Sequence, residues 1–122
     1  MIMDRDTSTF MIRDGVQLFL DALDGHLKDA ETAVDRDKDD IFHKELIKIF
    51  SEGKGDFLKR FGWFINEDTE LDFEANRVMI DSLLEFANNY KDKADINIIY
   101  KLFGEMLETR LYCASGSLDD SI

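Results

Sequence analysis

The chain has 122 residues, 27 of them acidic and 15 basic, for a formal charge of −12. That length suits one domain with a single core, and a hydrophobic content of 44% argues against disorder. The charge disfavours direct binding to nucleic acid, which rests on Lys and Arg neutralising phosphates, and it equally disfavours an anionic membrane surface.

There is no proline, where average usage of about 5% would give roughly six. Together with long amphipathic runs, this points to an all-α fold: a single-domain bundle of about five helices, approximately 8–34, 40–52, 56–66, 70–91 and 95–114. Cys113 is the one cysteine, so no internal disulfide forms, as fits a reducing compartment. The opening MIMDRDTSTF lacks the pattern of a signal peptide. No apolar run approaches the roughly 20 residues of a bilayer span. A cytoplasmic location is expected.

Residues 1–7 read as a frayed start. In the first helix Ile12, Val16, Phe19, Leu20, Leu23, Leu27, Ala30 and Val34 repeat at three- and four-residue spacing. Arg13-Asp14-Gly15 has the composition of a hairpin turn, but the helical stripe passes through it in phase. The charged run 35–40 is a linker, after which Asp39 or Asp40 caps a second helix ended by Gly53. Its inner face is Phe42, Leu46, Ile47, Ile49 and Phe50. Asp56 then caps a short, aromatic third helix with Phe57, Leu58, Phe61, Phe64 and Ile65 on one side. Trp63 falls on the other side, between Lys59 and Arg60.

The stretch Thr69–Tyr90 is expected to be the central helix, N-capped by Thr69 with Asp72 as an approximate capping-box partner. At about 100° per residue, Leu71, Ala75, Val78, Met79, Leu83, Phe86 and Tyr90 form one apolar face and Phe73, Ile80, Leu84 and Ala87 a second. A helix apolar on most of its circumference is expected to be wrapped by its neighbours. One polar strip remains: Glu70, Glu74, Arg77, Asp81, Glu85, Asn88 and Asp92, of which five are acidic. Lys91 to Ala94 turn the chain, and Asp95 caps a last helix that pairs antiparallel with the central one. Its apolar arc is Ile99, Leu102, Phe103, Met106, Leu107 and Cys113, and residues 115–122 read as a frayed tail.

The chemistry-bearing patterns are sparse. Asp35-x-Asp37-x-Asp39 resembles the start of a calcium loop, but its sixth position is Asp40 instead of Gly and its twelfth is Leu46 instead of Glu. Asp40-x-x-His43 has the spacing of a metal pair, yet His26 has no matching acid, and di-iron carboxylate bundles need two Glu-x-x-His pairs. Both histidines read as packing residues at the edge of an apolar stripe. Cys113 has no histidine near it in sequence to activate it. Gly53-x-Gly55 is too short for a phosphate loop. No cofactor and no metal are expected.

These patterns favour a non-enzymatic binding protein whose acidic strip, Glu70, Glu74, Asp81 and Glu85, occupies a basic surface on a protein partner, with Trp63, Lys59 and Arg60 as an aromatic, basic anchor beside it. Proteins that bind nucleic acid own such surfaces. An immunity-type inhibitor of a nuclease, or an anti-defence protein imitating nucleic-acid charge, fits. A homo-oligomeric structural or adaptor module built on Trp63 is the first alternative. A hydrolase holding magnesium on the acid strip is the second.

Overall fold

Helical periodicity is realised in the computed structural model as four α-helices: α1 (Arg5–Arg36), α2 (Ile41–Asn66), α3 (Phe73–Lys91) and α4 (Ile98–Asp119). Residues 5–66 and 71–119 are described, with side chains for 11–65 and 71–112. Among the described residues there is no strand, so the all-α expectation holds, with four helices in place of five.

The lost boundary is Gly53. Glycine is the usual helix stop because it enters the left-handed region freely, but no described glycine has positive φ, and α2 runs straight through Gly53-Lys54-Gly55. Gly53 is buried because the Phe103 ring lies against it: a Cβ there would sit 2.5 Å from the ring. Close packing, not chain reversal, selects this glycine. Gly55 meets nothing within 4 Å, and nothing in the structure explains it.

The remaining boundaries follow local caps. Asp40 caps α2, its Oδ1 accepting from the His43 backbone N–H at 3.1 Å. That bond, then the His43 ring 2.6 Å away, holds the Asp40 carboxyl below the usual carboxylate range. The pair that resembled two metal ligands is thus engaged in a helix start. α3 begins later than expected, because Asp72 is itself the N-cap and accepts from Ala75 N–H at 2.8 Å; Thr69 lies outside the described residues. Asn97, not Asp95, caps α4 by accepting from Ile99 N–H at 3.0 Å, and Asp92–Asp95 form a 3₁₀ turn before it. The expected frays are shorter than read: α1 begins at Arg5 and α4 continues to Asp119.

The helices form two hairpins, α1–α2 and α3–α4, joined chiefly by α4 packing on α1. The centre is α4, not α3. Phe103 is fully buried, with its ring centroid 5.5 Å from Phe19, 5.7 Å from Phe50, 6.3 Å from Phe86 and 4.7 Å from Tyr90. α3 and α4 approach closely at Gly104, where an added Cβ would strike the Ala87 carbonyl oxygen. Beside this crossing Lys91 donates to both Glu108 oxygens at 3.0 and 2.8 Å, and that hydrogen bonding raises the Lys91 ammonium above its ordinary value.

The inner stripe of α1 is buried as expected at Ile12, Val16, Phe19, Leu20, Leu23 and Ala30. Five residues assigned inward are substantially exposed: Phe42, Leu58, Phe73, Val78 and Leu102. Leu111 and Asn76, neither assigned inward, are buried, and the Asn76 amide donates to the Leu71 carbonyl at 3.2 Å. Asn76 is the polar one. It lies seven residues before Leu83 and so shares that residue's inner face.

α2 and α3 are held apart: among the described residues no Cα of one comes within 8 Å of a Cα of the other. Large side chains bridge them instead. Phe86 of α3 meets Phe57 at 5.5 Å and Phe61 at 5.8 Å. The Tyr90 hydroxyl donates to Asp56 Oδ2 at 2.6 Å. Burial first, then this bond to an anion, pushes the Tyr90 phenol above its ordinary value of 10.0. The sign of the linkage follows. Above about pH 10 the unfolded chain gives up this proton while the folded chain keeps it, so the contribution is whole below that pH and falls as pH rises. Urea titrations should show Tyr90→Phe less stable than the parent by about 1 kcal/mol at pH 7, with the gap narrowing by pH 10.5. A gap that widens at alkaline pH contradicts the assignment.

Candidate functional site

The separation of α2 from α3 creates the site. Bridging rings fill one end of the gap; towards the C-terminal end of α2 the gap opens into a groove of about 470 Å³. Arg60, Phe61 and Trp63 line it from α2, and Ala75, Val78, Met79 and Ser82 from α3, with Leu71 and Glu74 where the chain enters α3. A smaller hollow of about 300 Å³ lies elsewhere, floored by Leu46, Phe50 and Met106 and edged by His26 and Arg110.

Three of the residues singled out from the sequence, Trp63, Arg60 and Glu74, meet in the larger groove. Trp63 is 48% exposed, so its outward wheel position is kept in the fold. Its ring leans on Phe64 at 5.8 Å, edge to face. Arg60 lies over the Phe61 ring at 5.4 Å and reaches across to Glu85 at 4.0 Å. That pair is long and exposed, and contributes little to stability. Lys59 is exposed next to it. Glu70 lies outside the described residues, as does the side chain of Cys113.

Glu74, Asp81 and Glu85 are all exposed on α3. With Val78 they fall within about 60° of helix circumference at 100° per residue, one stripe along α3 that borders the groove at Glu74 and Val78. Val78 is 60% exposed in the middle of it. The stripe was legible in the sequence; the groove beside it was not, because the wheel gives the phase of Ala75, Met79 and Ser82 but not the distance to α2. An apolar patch with charged residues confined to its edge is the anatomy of a protein-binding surface.

Other chemistry is thinly represented. Among the described residues no group of three or more His, Cys, Asp or Glu is placed to hold a metal ion. His26 stacks edge-on to Phe50 at 6.3 Å. Among the described residues no helix is long and apolar enough to cross a membrane. Compared with known proteins, the chain matches no family model, no curated protein and no solved structure.

Proposed function

We propose that the protein is a non-enzymatic interaction module that occupies a basic surface of a protein partner with the α3 stripe. The observation that carries this reading is the alignment of Glu74, Asp81 and Glu85 in one exposed stripe of α3, which borders, at Glu74 and Val78, an apolar groove holding a half-exposed tryptophan. A net charge of −12 adds a long-range field that draws a cationic partner in and makes association salt-sensitive. Nucleases and other nucleic-acid-binding proteins present such surfaces, and an inhibitor or anti-defence role in the cytoplasm fits that pairing.

The test is a pull-down with the protein as bait, washed at low and then high salt. A basic partner is expected to be retained at low salt and released at high salt. Reversing Glu74, Asp81 and Glu85 together to lysine should weaken its capture at least about tenfold, roughly 1.4 kcal/mol, with helical circular dichroism unchanged because all three side chains are exposed. Unchanged capture would reduce the stripe to a solvated face.

Exposure of Trp63 also supports self-association through the same groove. Light scattering across a wide concentration range decides this second reading, since a strict monomer at high concentration removes it.

A further inference from the structure

We propose that the groove between α2 and α3 receives a helix of the partner: an amphipathic helix whose apolar ridge lies on Trp63, Val78 and Met79 and whose basic flank faces Glu74, Asp81 and Glu85. This rests on the interaction-module reading above and adds the form of the element recognised.

The shape selects a helix. Both walls are helices, so an extended peptide would find no strand edge among the described residues and would leave its backbone N–H and C=O groups unpaired against apolar side chains. A helix satisfies its own backbone and presents only side chains. Glu74 to Ser82 spans eight residue steps, roughly 12 Å at 1.5 Å per residue, which matches a ridge of anchors at i, i+3 or i+4, and i+7. The groove holds about 470 Å³; a cavity of roughly 150 Å³ takes one benzene, so three or four large apolar side chains fill it.

Charge selects the flank. On the α2 side the Arg60 guanidinium is turned towards Glu85 and offsets part of its charge, and Arg77 is the one base on the α3 stripe, which leaves Glu74 and Asp81 as the acids most open to a basic flank. The chain's −12 repels an acidic helix before contact. It repels a second copy for the same reason. Trp63 on the α2 wall supplies the kind of anchor that dominates binding energy.

Trp63 is the chain's one tryptophan, so its fluorescence reports the groove directly. The probe is a synthetic 18-residue helical peptide with leucine at i, i+3, i+4 and i+7 spacing and lysine on its flanks. One control has the same composition in scrambled order, and another carries glutamate for lysine. The ordered lysine peptide is expected to shift Trp63 emission to the blue and to saturate, with both controls at least about tenfold weaker. Val78→Glu should weaken binding at least about tenfold even though it adds a negative charge. Val78 is 60% exposed, so this variant keeps its fold, and circular dichroism verifies that.

Each contrary result is distinct. If the scrambled peptide or Val78→Glu binds as tightly as the ordered pair, attraction is purely electrostatic: the helix inference fails while the acidic-module reading stands. If the glutamate peptide binds as well as the lysine peptide, the basic flank is wrong and the module reading fails with it. No Trp63 response to the ordered peptide at millimolar concentration overturns the inference outright. A Trp63 signal that depends on the protein's own concentration before peptide is added makes the occupant a second copy and overturns it too.

Discussion

Phe103→Ala is expected to lower the unfolding free energy by about 3–5 kcal/mol, the range for large-to-small substitutions of buried aromatics. A domain of ordinary stability has only about 5–15 kcal/mol in total, so this one substitution should remove a large share of it. The reason is where the ring sits. Phe19, Phe50, Phe86 and Tyr90 come from three different helices, and all lie within 6.3 Å of the Phe103 centroid. Removing the ring withdraws an edge-to-face partner from Phe19 and Phe50 and a tilted one from Phe86 and Tyr90 at once. It also opens a void against Gly53, which has no side chain to collapse into it. Urea titration measures the loss. Trp63→Ala, at a half-exposed ring, should cost distinctly less than Phe103→Ala, about 2 kcal/mol by the smaller area involved. A loss below about 1.5 kcal/mol for Phe103→Ala would mean that the four helices are not joined at this residue.

That centre was not legible in the sequence, and the reason is specific. Periodicity gives the phase of a helix but not which arc acquires a neighbour. The all-α class, the inner stripe of α1 and the Asp40 cap are local properties, and each could be read directly from spacing and residue type. Gly53 could not, because glycine both ends helices and admits close neighbours, and the neighbour that decides, Phe103, is fifty residues further along the chain. Once Gly53 is read as a stop, α2 divides in two, and a fifth helix is available to cover α3. With α2 continuous, that cover is missing. Val78 and Phe73 of α3 then stay exposed, and the apolar arc that made this helix look central becomes the wall of a groove. The acidic residues Glu74, Asp81 and Glu85 were legible as a strip, and Trp63 as an outward aromatic. Their common border depends on the α2–α3 separation, which no single-helix pattern contains.

The glycines separate packing from propensity in the same experiment. Helix propensity alone predicts that any Gly→Ala in a helix interior gains up to about 1 kcal/mol. Gly25→Ala and Gly55→Ala should show this gain, because an added Cβ at either position meets nothing within 4 Å. Gly53→Ala and Gly104→Ala are expected instead to lose about 1–3 kcal/mol, the usual cost of overpacking. At Gly104 the new methyl would meet the Ala87 carbonyl and lie 3.1 Å from the Lys91 backbone nitrogen. Neither is the end of a flexible side chain, so α3 and α4 must move apart and loosen the Lys91–Glu108 pair. At Gly53 the obstacle is the Phe103 ring, which is held on its other sides and cannot swing away. The two sites therefore differ in how they are relieved. Shrinking the obstacle with Phe103→Leu should recover part of the Gly53→Ala loss in a double-mutant cycle, whereas no side-chain change relieves Gly104→Ala, because its first obstacle is backbone. If Gly53→Ala instead stabilises as Gly55→Ala does, α2 and α4 are not in contact at Phe103. In that case the continuous α2, and the groove that depends on it, would both have to be redrawn.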